Sequence, residues 1–167
     1  MLKLAYNHKD ELAKIYPHMA ISPRNMYVNY NGYSTYELNI ESSNWSHIQY
    51  VSMHYDNIIG YFDASIDRHF NKISQIVVWS IGINGNDEAS ATFAADYISF
   101  YKMLFKTIHV DKIEFSCVVG SLSEPLNDKL IKQLNGSVIG VFHNTCKLID
   151  NKLYDVKWYE IFNPDKK

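Results

Sequence analysis

The sequence predicts an α/β fold built around one mixed, mostly antiparallel β-sheet with flanking helices. The chain has 167 residues, 47% of them hydrophobic, which suits a single domain over residues 1–167 with a real core. KISQIVVWSIGI, residues 72–83, is apolar at almost every position, as is typical of a central strand covered on both faces. A helical pattern and a further strand, KIEFSCVV at 112–119, follow. A strand-helix-strand unit of this kind predicts a right-handed parallel crossover.

The N-terminal part of the chain predicts a short strand and two helices. Residues 1–6 form the expected strand, and residues 8–16 the first helix, which Pro17 is expected to end. Ser22 followed by Pro23 resembles the start of a second helix, with an N-cap and a proline at the first helical position.

A hairpin is predicted before the central strand. HIQYVSMHY at 47–55 alternates as a strand does, and IIGYFDASI at 58–66 reads as its returning partner after the Asp56-Asn57 turn. The sheet therefore gains two antiparallel strands before the central one.

Aromatic residues at helical spacing mark the helix after the central strand. Ser90 is the expected N-cap of this helix. The stripe predicts a packed core face and not a ligand platform; it comprises Phe93, Tyr97, Phe100, Tyr101, Leu104, Phe105 and Ile108.

The C-terminal part predicts one more helix and an antiparallel strand pair. The helix covers residues 124–134 and ends near Asn135-Gly136. SVIGVFHNTCKLI and LYDVKWYEIF, joined by an Asp150-Asn151 turn, form the pair. Tyr154, Trp158 and Ile161 in its second strand are expected in the core or in a homodimer contact.

Composition narrows the classes of partner. The net charge of −2 gives no support for a nucleic-acid partner, because such proteins carry basic surfaces for phosphates. No apolar run is long enough to span a membrane, and the seven histidines form no metal signature. The charged N-terminal segment and two cysteines predict a cytoplasmic setting with free thiols.

From residue 47 onward, the order of elements resembles the GNAT superfamily of acyl-CoA-dependent N-acetyltransferases. The resemblance rests on NIIGYF, on SQIVVWSIGIN with its loop and helix, and on LNGSVIGVF before the C-terminal hairpin. The C-terminal part is particularly similar to small GNAT proteins of bacteriophage type, which implies the cytoplasm of a host cell. The implied fold is a GNAT-like mixed sheet whose parallel fourth and fifth strands, 72–83 and 112–119, splay apart.

The resemblance implies acetyl-CoA as co-substrate, bound in the wedge between the splayed strands. Its pantetheine arm would pair with backbone groups of residues 80–83, and its pyrophosphate would lie at the start of the next helix, where free N–H groups favour an anion. Asp87 and Glu88 oppose such an anion unless they point away. The implied cofactor-binding residues are Ile81, Gly82, Ile83, Gly85, Asn86, Ala89, Ser90, Ala91, Thr92 and Ser121.

The implied catalytic candidates are Asn127, Gln75 and Ser80. Gln75 falls near a position where family members hold a basic carboxylate, and an amide is no useful base. Asn127 falls where the family holds a tyrosine that protonates the leaving sulfur; an amide could still donate a hydrogen bond there. Asp63 and Glu37 are candidate contacts for an amine, and His54 is expected to face the acceptor cleft.

Three functions remain open at the level of sequence. One is an acetyl-CoA-dependent N-acetyltransferase acting on an unidentified amine. Another is a non-catalytic GNAT-fold binding protein, phage-encoded and engaging a host protein, which the acidic loop, Gln75 and Asn127 favour. The third is a structural or assembly role through an exposed aromatic surface, since aromatic residues make up 14% of the chain.

Overall fold

A computed structural model describes residues 1–20, 38, 40, 46–83, 85, 87–148 and 150–166 of the chain. Seven strands form one sheet: β1 (Leu2–Leu4), β2 (His47–His54), β3 (Asn57–Asp67), β4 (Lys72–Ser80), β5 (Lys112–Val118), β6 (Ser137–Lys147) and β7 (Leu153–Phe162). The α-helices are α1 (Lys9–Ala20), α2 (Asp87–Met103) and α3 (Glu124–Gln133). A π-helical turn, Leu104–Ile108, extends α2.

The strands follow the spatial order β1-β2-β3-β4-β5-β7-β6. Every neighbouring pair is antiparallel except β4 and β5, which run parallel. The predicted α/β class, the mixed sheet and the parallel pair around α2 are therefore confirmed. The returning strand β7 lies between β5 and β6, so β6 forms one edge of the sheet.

The parallel pair opens into a cleft. Strands β4 and β5 are paired only at Lys72 with Lys112 and at Ile73 with Ile113, near the start of each strand. Beyond Ile73 the two strands separate, so the rest of β4 pairs only with β3. Residues 76–78 are half-buried, because this part of β4 borders the cleft. The prediction of a strand covered on both faces is not met along most of β4, where only Ile73 and Trp79 are fully buried.

The closed end of the cleft is held by an ionic network. Glu114 on β5 binds the ammonium groups of Lys72 on β4, at 2.6 Å, and of Lys112 on β5, at 2.8 Å. Lys112 also binds Glu160 on β7 at 2.6 Å. Glu114 thus neutralises two like charges that the register places side by side.

Two apolar cores cover the two faces of the sheet. On one face the aromatic stripe of α2 packs on β3, with the ring of Phe62 5.6 Å from that of Phe93 and 5.1 Å from that of Phe100. On the other face Leu12 and Met19 of α1 pack against Trp79 of β4. The predicted core position of the stripe is confirmed.

Three predicted boundaries need correction. Helix α1 runs on to Ala20 with Pro17 inside it, because burial of Met19 offsets the one backbone hydrogen bond that proline cannot donate. Helix α2 begins at Asp87, so Ser90 lies within its first turn and is not the N-cap. The central strand ends at Ser80 and not at residue 83. The second helix predicted at Ser22-Pro23 falls outside the described residues.

Across the described ranges, no helix is both long enough and apolar enough to cross a bilayer.

Candidate active site

A cavity of about 700 Å³ occupies the cleft between β4 and β5. Strand β4 contributes residues 74–79 to its lining, and β5 contributes residues 115–118. Helices α2 and α3 add Tyr97, Tyr101 and Asn127, and the C-terminal strands add Cys146 and Trp158. Because β4 and β5 separate within the sheet, the cavity between them is lined by side chains from both faces of the sheet.

A buried hydrogen-bond network joins α2 to α3 at one side of the cavity. Asn127 is only 2% exposed, and its Oδ1 accepts a hydrogen bond from the hydroxyl of Tyr97. The hydroxyls of Tyr97 and Tyr101 lie 3.2 Å apart. Among the described residues, the amide nitrogen of Asn127 has no partner. The side chain therefore keeps a donor that can serve a ligand in the cavity.

Burial keeps both tyrosines of this network protonated. Desolvation raises the pKa of Tyr97 and of Tyr101 well above the ordinary value of a phenol. Each hydroxyl therefore acts as a hydrogen-bond donor or acceptor at neutral pH and not as a phenolate.

A second polar cluster lies on the opposite face, around Asp63 of β3. This carboxylate is 7% exposed and lines the cavity. It lies 2.9 Å from Nδ1 of His47, and it accepts hydrogen bonds from Nε2 of Gln49 at 3.2 Å and from the hydroxyl of Tyr61 at 3.3 Å. Burial and three polar partners distinguish it from an ordinary solvated carboxylate.

Aromatic rings line the cavity next to that cluster. Tyr16 of α1 stacks on Trp79 of β4 with ring centroids 5.4 Å apart. The indole Nε1 of Trp79 is buried and has no hydrogen-bond partner in the described part of the chain. A buried donor without a partner is uncommon in folded proteins and calls for an explanation.

The three predicted catalytic candidates occupy different places. Gln75 and Asn127 both line the cavity. Ser80 is the last residue of β4 and pairs with Gly60 of β3, beyond the part of β4 that borders the cavity. The backbone N–H of Ile81 donates to Ile59 at 2.8 Å, so that group is already engaged and cannot polarise a ligand.

The predicted phosphate segment surrounds the start of α2. Gly82 and Gly85 adopt positive φ angles of 59° and 72°, which glycine accepts without strain. Ala89 is buried, whereas Asp87, Glu88, Ser90 and Ala91 are exposed to solvent. Ile83 packs against the core, and Asn86 lies outside the described residues.

The hydroxyl groups of two further predicted cofactor-binding residues, Thr92 and Ser121, already contact other side chains. Thr92 Oγ1 lies 3.3 Å from Nδ1 of His54, which places His54 against α2 and not in the cavity lining. Ser121 is buried, and its hydroxyl lies 3.0 Å from that of Ser123. Ser123 is the member of this pair that lines the cavity. Glu37, a predicted amine contact, falls outside the described residues.

Sequence reasoning assigned Tyr97 and Tyr101 to the core alone. Their rings are buried as predicted, but both residues also line the cavity. The available signal is a pair of tyrosines four positions apart on a helix face that is predicted to be buried. Because each buried hydroxyl needs a polar partner, such a pair indicates a polar network inside the core. The sequence predicts Asp63 as an amine contact, and its place in the otherwise apolar strand NIIGYFDASI is the stronger signal for a role in the site.

Comparison with solved structures identifies the fold. A spermidine N-acetyltransferase from Vibrio cholerae, solved with CoA and spermine, aligns over 98% of this chain and 95% of its own, with a TM-score of 0.74 and 13% identity. A ribosomal-protein-S5-alanine acetyltransferase from Vibrio fischeri aligns over 73% of this chain and 64% of its own, with a TM-score of 0.58 and 14% identity. The chain therefore has the fold of GNAT-type acetyltransferases.

Some of the matched acetyltransferases are considerably longer than the region shared with this chain. The chain spans 64%, 59% and 64% of the lengths of three of them. No protein-family model matches the sequence, and no curated protein matches it.

Proposed function

We propose that this protein is an acetyl-CoA-dependent N-acetyltransferase that transfers an acetyl group to an amine. The observation that carries the proposal is the cleft itself. Strands β4 and β5 separate after two paired residues and enclose a cavity of about 700 Å³. The spermidine N-acetyltransferase of the same fold was solved with CoA and spermine, which supports a CoA thioester and an amine as the two substrates here.

The residues of the cleft fit an acyl-CoA. Residues 76–78 form one wall of the cavity; among the described residues they pair only with β3, which leaves their other backbone edge open to the pantetheine arm. The beginning of α2 carries the positive end of the helix dipole, which suits the pyrophosphate. The free amide nitrogen of Asn127 supplies a donor beside this wall. Bound in this way, acetyl-CoA would supply an activated acetyl group as a thioester.

The chain's own residues then have three tasks in the transfer. Asn127 donates a hydrogen bond toward the sulfur, where negative charge develops as the carbon–sulfur bond breaks. Tyr97 fixes the orientation of that amide through its hydrogen bond to Oδ1. Gln75 lines the cavity but cannot take a proton from the amine, so the attacking amine loses its proton to water or to another group. A thiol with a pKa of about 8.5 leaves without a strong acid.

Calorimetric titration with CoA tests the proposal. We expect binding in the micromolar to millimolar range and a rise in melting temperature, because a ligand at 100 times its Kd adds about 2.7 kcal/mol of stability. Ser116→Trp, which fills the cleft from β5, should weaken binding. Ser99→Trp on the exposed face of α2 is the matched control and should not. Absence of binding at millimolar CoA would overturn the proposal.

A non-catalytic GNAT-fold protein that engages a host protein is the second candidate. It is favoured by Gln75, because this cavity-lining side chain is an amide and cannot act as a base. The two candidates differ in turnover. Release of free CoA thiol from acetyl-CoA in the presence of primary amines supports the enzyme. CoA binding without any amine-dependent release supports the binding protein.

A further inference from the structure

We propose that the Asp63 end of the cavity binds the primary ammonium group of the acceptor, and that Trp79 binds an oxygen atom of the same molecule. The inference rests on the proposed function and adds the class of acceptor. That class is a cationic primary amine with a carbonyl or hydroxyl oxygen a few bonds from the nitrogen.

The first observation is the incomplete coordination of Asp63. A carboxylate has about four lone-pair positions, and His47, Gln49 and Tyr61 occupy three of those of Asp63. The residue also lines the cavity. One acceptor position therefore remains for a donor that enters from the cleft.

The second observation concerns charge. Within the described residues, the only ionic partner of Asp63 is His47, whose Nδ1 lies 2.9 Å away. No lysine or arginine of that part of the chain pairs with this carboxylate. A buried carboxylate is costly unless a cation compensates it, so an ammonium ligand meets a site that favours its charge.

The third observation is the aromatic surface beside the carboxylate. Tyr61 of β3 pairs with Trp79 of β4, and Asp63 pairs with Val77. Directly opposed residues of a sheet share a face, so the carboxylate, the phenol ring and the indole lie together. Aromatic faces attract cations, and the stack of Tyr16 on Trp79 extends this surface.

The fourth observation is the indole N–H of Trp79. It is buried, it belongs to a residue that lines the cavity, and it has no partner among the described residues. The indole N–H is a donor only, so its ligand must offer an acceptor atom. An oxygen near the amine satisfies this donor while the ammonium group binds Asp63.

Binding of small probes to the wild-type protein, with and without CoA, tests the proposal. The probes are n-butylamine, phenethylamine and L-phenylalaninamide, with phenethyl alcohol as the uncharged counterpart. Calorimetry gives the affinities, and the indole N–H signal of Trp79, assigned with Trp79→Phe, reports occupation of the site. We expect the amines to bind, the alcohol to bind more weakly, and the amide to bind more tightly than phenethylamine.

Variants separate the contribution of the Asp63 carboxylate from that of the Trp79 indole N–H. Asp63→Asn should weaken binding of all three amines roughly tenfold to hundredfold, as expected when a hydrogen bond to a charged group is lost, and should leave the alcohol and CoA unaffected. Trp79→Phe should remove only the advantage of the amide. Asp56→Asn, at an exposed turn, is the matched control and should change nothing.

Each outcome decides a different point. Amines that bind no better than the alcohol, or equally well to Asp63→Asn, overturn the inference even if CoA binds. If the advantage of L-phenylalaninamide over phenethylamine is the same in Trp79→Phe as in the wild type, the proposed hydrogen bond from Trp79 to the acceptor is overturned. Loss of CoA binding in the wild type counts against the proposed function instead, since the amine titrations without CoA test the Asp63 site by themselves.

Discussion

The hydroxyl of Tyr97, on α2, donates a hydrogen bond to Oδ1 of Asn127, on α3. This contact joins the helix that follows β4 to the helix that follows β5, at one side of the cavity between the two strands. It also fixes the amide so that its nitrogen is the group left available. Asn127 is thus part of an organised polar network with Tyr97 and Tyr101.

Truncation of this network should lower turnover without loss of CoA affinity. We expect Asn127→Ala to reduce kcat about two- to tenfold, the effect of one neutral hydrogen bond. Tyr97→Phe should cause a smaller reduction, because the amide remains but is less well oriented. The readout is kcat and KM with an identified amine, and Lys129→Ala on the exposed face of α3 is the control.

Asn127→Ala should also lower the free energy of unfolding. Asn127→Ala leaves the buried hydroxyl of Tyr97 with only Tyr101 as partner, which costs about 1–3 kcal/mol if the hydroxyl is left poorly satisfied. Urea unfolding measures this loss. Variants that equal the parent in both rate and stability would remove Asn127 from the site.

Removal of two acidic side chains at the start of α2 should tighten CoA binding. Asp87 and Glu88 are exposed in the first turn of the helix, close to the segment proposed to hold the pyrophosphate. The Asp87→Asn/Glu88→Gln double variant removes their repulsion, and the gain should shrink as salt rises, because exposed charges are screened. Titration at low and high salt measures both effects.

An unchanged affinity at low salt would contradict this prediction. It would mean that the phosphates lie away from both side chains. Asp165→Asn, an exposed carboxylate near the C-terminus, controls for a general effect of net charge.

We expect the stability of the folded protein to depend on pH, because Glu114 forms ion pairs with Lys72 and Lys112 at the closed end of the cleft. Burial by itself raises the pKa of Glu114, but the hydrogen bonds from Lys112 and Lys72 outweigh it and hold that pKa below its ordinary value. A carboxyl group with a lower pKa in the folded state stabilises the protein above its unfolded pKa, about 4.3. This stabilisation is lost as the pH falls through the folded pKa.

Glu114→Gln should therefore destabilise the protein at pH 7 by about 1 kcal/mol, the upper end for a partly exposed ion pair. The difference between variant and parent should shrink as the pH falls below about 4. Urea unfolding over a pH series measures it, with Asp56→Asn at an exposed turn as control. A difference that stays constant down to acid pH would show that the charge of Glu114 is not responsible.

Local patterns in the sequence predicted most of the fold. Alternation of apolar residues located β2 and β3, and the aromatic spacing located the buried face of α2, because these periods follow directly from strand and helix geometry. The errors fell at Pro17, at Ser90 and at the end of β4. Burial of Met19 keeps α1 intact past its proline, which no local rule includes.

Several parts of the candidate site depended on the tertiary structure. Asn127 and Gln75 were identified as candidates through the resemblance of the sequence to a known family, and both line the cavity. The hydrogen bond from Tyr97 to Asn127, the burial of Asp63 and the unpartnered indole of Trp79 were not predicted, because each joins residues far apart in the chain.

The sequence by itself determined that the chain forms a mixed sheet with a parallel strand pair around an aromatic helix. Only the tertiary structure decided that β4 and β5 part after two paired residues and what faces the resulting space. The physical reason is that strand formation depends on local side-chain period, whereas the separation of two strands depends on everything packed between and around them.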